Sequence, residues 1–246
     1  MLPLLLTLIA SPPATTAPAD SFRYRIVAKS IQEIDASAMG QPSQTVEITT
    51  TALITLRLTD SAGGQVAHIV VDSAGVDAGE MAAMIDPAML EVPAGAFFHF
   101  FVRDGKVIGN QMPSATSLPV LNLVGPIGML FSNPRPSAKI GDIWSDTVKV
   151  DTVMAQGSSK MTTISKWKLA GEEDGGRVLD AESNGTLSVE SPNGGMSGTT
   201  TGKQHLVTRA RGPLIRLSSE TISNMAMTSA QVTIKGTTRI TVEPIP

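Results

Sequence analysis

Between Thr45 and Thr59 the chain alternates with period two. Val46, Ile48, Thr50, Ala52, Ile54, Leu56 and Leu58 are apolar or small, and the odd positions are polar except Leu53. Successive side chains of a strand point to opposite faces, so this is a strand with one apolar and one wet side. At ~3.3 Å per residue it would run roughly 50 Å, well beyond the usual strand. The final stretch repeats the pattern: Val232, Ile234, Ile240 and Val242 share one face, with Lys235, Arg239 and Glu243 on the other.

Other segments read the same way. Ser21 to Ile34 carries Phe22, Tyr24, Ile26 and Ala28 on one parity. The turn Ala62-Gly63-Gly64 leads into Val66 to Asp72 as the second arm of a hairpin. Residues 97 to 109, FFHFFVRDGKVIG, form a hairpin around Asp104-Gly105, a pair suited to the positive-φ positions of a tight turn. Phenylalanines on both sides of that strand call for cover on both sides. From Ile143 onward the strands are Ile143 to Met154, Lys160 to Ala170, Gly176 to Glu190, Met196 to Thr208, Leu214 to Ser223 and Met225 to Glu243. At Asn184-Gly185 two readings stand: a hairpin turn, or one long strand with Gly185 at a bulge.

Two segments break the alternation. In Asp77 to Leu90, Met81, Met84, Ile85, Met89 and Leu90 fall at helical spacing, with Asp77 as N-cap, Glu80 three residues on, and Pro87 splitting the run. Leu118 to Phe131 is apolar and reads as helical turns broken near Pro126. About ten long antiparallel strands, each apolar on one face, are too many for a flat sheet and must curl. The predicted fold is therefore mainly β: a strongly curved antiparallel sheet, a half-barrel, with short helices packed on or plugging its concave face.

Composition narrows the function. Nineteen basic and 22 acidic residues give a formal charge of −3, which excludes an electrostatic nucleic-acid binder. There is no cysteine, hence no disulfide and no cysteine-borne lipid anchor. The apolar run Leu2 to Ala10 is too short to span a bilayer, and Ala17-Pro18-Ala19 fits an A-x-A cleavage pattern. We read residues 1–19 as an export signal or a disordered leader; no charge precedes Asp20, so a basic n-region is missing. Residues 20–246 form a single β-rich domain in this reading, with a periplasmic or otherwise exported bacterial location.

A signal-like leader, the Gly105-Lys106-Val107 hairpin, the Gly141-Asp142-x-Trp144 motif and the run Arg209-x-Arg211-Gly212-Pro213-Leu214-x-x-Leu217 together resemble an uncharacterised family of exported bacterial β-rich proteins. The layout is similar to the LolA-like and LolB-like lipoprotein carriers. That resemblance implies an open curved sheet around helices, whose apolar concave face shelters acyl chains.

Reactive chemistry is sparse. His68, His99 and His205 lack metal-helix spacing. His99, between phenylalanines, reads as a core residue. Met81-x-x-Met84 and Met225-x-Met227 have the form of soft copper ligands, but methionine also fills adaptable apolar cores and grooves. No G-x-S-x-G elbow is present. We expect no metal, no cofactor and no catalysis. The expected role is an exported protein that binds an apolar, lipid-like ligand or an envelope partner, with Met81, Met84, Met89, Phe98 and Phe100 lining the ligand. Three alternatives stay open: an envelope scaffold with a side-chain-filled core, an outer-membrane barrel, and an enzyme whose site the sequence hides. One Tyr and two Trp are few for the aromatic girdles of a membrane barrel.

Overall fold

The computed structural model describes residues 20–61, 63–84, 96–103, 106–111, 118–131, 135, 137–154, 157–191, 194–209, 213–227 and 231–245. The one-face-apolar segments become strands: β1 (Asp20–Asp35), β2 (Gln44–Ser61), β3 (Gly64–Asp77), β4 (Phe97–Arg103) and β5 (Lys106–Gln111). A helix, α1 (Leu118–Met129), follows. The second series is β6 (Ile143–Met154), β7 (Gly157–Glu173), β8 (Gly176–Ser191), β9 (Gly194–Thr208), β10 (Leu214–Met227) and β11 (Val232–Pro244).

All eleven strands belong to one sheet in the order β5-β4-β3-β2-β1-β11-β10-β9-β8-β7-β6. The first and last strands pair antiparallel at its centre, Ile26 opposite Val242. The chain works outward from β1 to the β5 edge, reappears at the opposite edge as β6, and works back inward. Between β5 and β6 in the chain the described residues are 118–131, 135 and 137–142. Within that span α1 rests on β1, β2 and β3, burying Leu123 and Ile127 and, just past its end, Leu130 and Phe131.

The expected alternation holds in β2, where Val46, Thr50, Ala52, Ile54, Leu56 and Leu58 are buried, with Ile48 partly so. Pairing carries this parity across the sheet. Leu217, Leu206 and Leu179 continue it through β10, β9 and β8 to Leu169 and Trp167 of β7. One contiguous core results, on the face and at the strand ends that α1 covers.

Glycines show how this face curves. A Cβ on Gly185 would lie 2.5 Å from Thr200 Oγ1, and one on Gly202 2.7 Å from Ser183 Oγ. One on Gly236 would lie 2.7 Å from Ser223 Oγ. Side chains that converge so closely from neighbouring strands mark the concave side of a bent sheet, and glycine is what lets the bend form.

Several expectations are corrected. The curved antiparallel sheet of about ten strands is as expected, with eleven in the one sheet; the corrections are local. Pro126 does not break the helix but sits inside it, because burial of Leu123 and Ile127 offsets the one backbone bond that proline forfeits. β8 runs straight through Asn184-Gly185 with neither turn nor bulge, its irregularity with β7 lying instead between Leu169 and Gly171. The last two strands separate after Met227, not at Asn224. Of the methionine segment, residues 79–84 form a 3-10 helix, and Asp77 Oδ1 accepts the Gly79 N–H at 3.0 Å. β4 is covered on one side only: Phe98 and Phe100 are buried, whereas Phe97 and Phe101 remain 41% and 45% exposed. Asp104 and Gly105 lie outside the described residues; Arg103 pairs opposite Lys106.

Candidate ligand-binding face

The concave face divides into three zones along the strands. At one end lies the core under α1. The middle is a belt of small polar residues. One register row runs Ser30, Thr238, Thr221, Gly202, Ser183, Ser165; the next runs Gln32, Gly236, Ser223, Thr200, Gly185, Thr163. The far end turns apolar again. Ile34, Ile234, Met225, Gly198, Leu187 and Met161 stand side by side across six adjacent strands, and Val150 of β6 takes the next register position. Behind them Val232, Met227, Met196 and Val189 form a second row.

This strip is not a finished core. Most of its residues are only partly buried, and Met161 and Met227 are 38% and 37% exposed. Gly198 matters here: a Cβ there would clash with Asn224 O and lie 3.0 Å from Met225 Cγ, so glycine lets the β10 backbone and Met225 approach β9 closely. Unbranched thioether side chains adapt to differently shaped apolar partners.

Of the residues expected to line a ligand, Phe98 and Phe100 sit at the other end, in the core. Their rings lie 6.4 Å apart, and Phe100 meets Phe131 just after α1 at 5.9 Å. Met81 and Met84 belong to the 79–84 turn, and Met89 lies outside the described residues. Met225 and Met227 sit in adjacent rows of the strip, with Met196 opposite Met227. Parity placed each strip residue on the apolar side of its own strand; only pairing shows that they adjoin.

Apart from exposed apolar residues such as Phe97, Phe101, Ile143, Ile164 and Ile222, the opposite face is polar. At mid-strand Lys166, Glu182, Lys203, Glu220 and Arg239 lie directly opposite one another across five strands, alternating in sign. Arg239 Nε donates to Glu220 Oε2 at 2.5 Å, and on the next strands Lys29 Nζ meets Glu47 at 2.6 Å. Opposite charges across a pair stabilise one register, and a slip of one strand would set like charges together. A shallow hollow of about 490 Å³ overlies β7 to β10 on this face. There Ser218, His205 and Asp180 are register neighbours. His205 Nδ1 and Asp180 Oδ1 are 2.8 Å apart, and His205 Nε2 lies 3.9 Å from Glu173 rather than on the serine. Nucleophilic chemistry requires the base to reach the hydroxyl, and in this arrangement His205 is engaged by Asp180 and lies near Glu173 instead. The described residues include no group of His, Asp and Glu side chains placed to hold a metal ion.

The sequence motifs resolve into structural roles. Gly141 has φ +93° and donates its N–H to Leu169 O at 2.8 Å, while Asp142 Oδ2 accepts the Lys139 N–H at 3.0 Å. This turn starts the edge strand, where Trp144 stacks on Trp167 with ring centroids 6.5 Å apart. In the late basic run, Arg209 lies over the Phe22 ring at 4.9 Å. Leu214 N–H donates to Leu130 O at 2.9 Å, and Leu214 O accepts from the Tyr24 hydroxyl at 2.6 Å. The helix end, the centre of the sheet and β10 are thereby tied together.

No protein-family model matches the chain, and no curated protein matches it in sequence. Among solved structures it is similar to lipovitellin, in a structure concerned with that protein's lipid-protein interactions, with TM-score 0.48 and 11% identity over 92% of this chain. The match spans only 25% of the lipovitellin chain. A mutant Rh. blastica porin is similar with TM-score 0.29 and 9% identity, over 91% of this chain and 100% of the porin.

Proposed function

We propose that the chain is an exported, non-catalytic binding protein whose open concave face takes up the apolar part of a lipid-like ligand. One observation supports this most directly. The strip from Ile34 to Met161, backed by Met227 and Met196, is concave, contiguous and half-exposed, while the rest of that face is either packed under α1 or lined with small polar groups. Covering an acyl chain there gains roughly 0.8 kcal/mol per buried CH₂. The adjoining belt supplies hydroxyls such as Thr200 and Ser223 for the polar linkage at the end of such a chain. The outer face argues against a transmembrane barrel, because the Lys166-to-Arg239 row stands where a lipid-facing band must be apolar.

The test is binding of long-chain lipids, followed by native mass spectrometry on bacterial lipid extract and by an environment-sensitive apolar dye. Leu187→Asp combined with Met225→Asp is expected to abolish the signal. Thr186→Asp, on the polar face, should leave it unchanged. A wild-type protein that takes up neither lipid nor dye would remove the binding role and leave a scaffold.

A further inference from the structure

β6 ends the sheet. Its residues Ile143 to Met154 pair with β7 on one side, and no described strand pairs with the other. An edge this long exposes a row of unmet backbone donors and acceptors, which natural sheets normally blunt or use. From the pattern of charge on β6 we infer that this edge pairs with β6 of a second copy of the chain, antiparallel about a two-fold axis perpendicular to the sheet.

Such an axis keeps both concave faces on one side only if each residue meets a partner of its own parity. This leaves a short series of registers. One centred on Lys149 sets two lysines against each other. One centred on Asp146 does the same with two aspartates. Centring on Thr147 or Val148 leaves Lys149 facing Ser145 or Thr147, with no opposite charge. Only centring on Val150 brings opposite charges together. Lys149 then faces the partner's Asp151, Asp151 faces the partner's Lys149, and Asp146 falls at the last pair of the span, against the partner's Met154.

Lys149 and Asp151 are both exposed and share the outer face. Neither is held in a close ion pair among the described residues, although Lys160 of β7 is the register neighbour of Asp151. Across the junction the order becomes Lys160, Asp151 and then Lys149 of the second copy, which extends the alternation of sign seen within the sheet. Opposed unlike charges stabilise such pairs and opposed like charges disfavour them. Asp146, on the concave side, is an edge charge of the kind that discourages indiscriminate pairing; in this register it stands at the outermost pair, and the Lys149–Asp151 match selects the register. The other edge, β5, is a much shorter strand, Lys106–Gln111. Joining it to β6 would be a head-to-tail contact, which does not close as a dimer.

The pairing stands on the edge itself. A second consequence rests on the ligand-binding proposal: with Val150 against Val150, the row from Ile34 through Met161 continues into the second copy as one apolar trough.

The experiment uses the full chain without ligand. Sedimentation over a concentration series should show a monomer–dimer equilibrium. Lys149→Asp should weaken the dimer about tenfold, and Lys149→Asp with Asp151→Lys should restore it. The chain has no cysteine, so single cysteines report the register directly. Val150→Cys should cross-link under mild oxidation. Val148→Cys should not, because its two copies would stand about 14 Å apart, beyond the ~7 Å reach of a disulfide. Unchanged far-ultraviolet circular dichroism would show that the variants fold. A monomer at every concentration, a dimer indifferent to Lys149→Asp, or equal cross-linking at positions 148 and 150 would each overturn the pairing. Lipid uptake by a strict monomer would overturn it while leaving the binding role intact.

Discussion

Tyr24→Phe removes one oxygen from the middle of the molecule. The Tyr24 hydroxyl donates to Leu214 O at 2.6 Å, and the side chain is 1% exposed. Phenylalanine fills the same space, so the change isolates the hydrogen bond and leaves the Leu214 carbonyl short of a partner. A buried neutral bond lost in this way costs about 1–2 kcal/mol. For a chain of this size that is a fall of about 3–6 °C in Tm. A second signature comes from pH. Burial pushes the Tyr24 phenol from 10.0 up to about 12, with the Arg209 charge pulling the other way. The unfolded phenol thus loses its proton first. The stability tied to it is complete below pH 10 and is lost as pH rises towards 12, a change of about 2–3 kcal/mol. Tyr24 is the only tyrosine, so near-ultraviolet phenolate absorbance reads it without overlap from another phenol. Urea unfolding of both proteins across this range should show the wild type losing its advantage over Tyr24→Phe as pH climbs. A phenol that titrates near 10 in the folded protein, or equal stabilities at neutral pH, would refute the buried bond and the tie it makes between β1 and β10.

Two further outcomes test the curvature and the register. Gly185→Val places its Cβ 2.5 Å from Thr200 Oγ1 and should cost about 2–3 kcal/mol in chemical denaturation. Asn184→Val, one residue along and facing out, should be neutral or slightly stabilising on strand propensity; a harmless Gly185→Val would mean that the strands do not converge there. Glu220→Lys sets a third cation between Lys203 and Arg239 and should cost about 0.5–1 kcal/mol at low ionic strength, shrinking as salt is added. A loss that is unchanged in high salt would show that charge is not what matters at that position.

Period-two alternation found most strands, because burial on one face of a sheet leaves its mark in local sequence. Val46 to Leu58, Val232 to Val242 and Ile143 to Met154 all lie where parity put them. Local rules failed where long-range burial decided the outcome. Pro126 reads as a helix breaker, yet the sheet beneath α1 holds the helix through it. At Asn184-Gly185 local sequence left a turn and a single long strand both open, the shared parity of Leu179, Ala181, Leu187 and Val189 speaking for the strand; pairing with β7 and β9 decides for the strand, without the bulge. Phe98 and Phe100 read as lining a hollow, and α1 with Phe131 fills the space beside them.

The sequence by itself determined which side of the alternating strands such as β2 and β11 avoids water, though not of β4, together with the absence of disulfides and the near-balance of charge, since these follow from residue type and spacing alone. The order of the strands was settled only by the tertiary structure: β1 against β11 in the centre, β5 and β6 left as edges. Register then gathered Met225, Leu187 and Met161 into one strip, and Lys166 through Arg239 into one charged row. The physical reason is that an apolar face requires cover without specifying which strand supplies its neighbour; that choice is made by backbone pairing between residues far apart in the chain, whose positions no local pattern encodes.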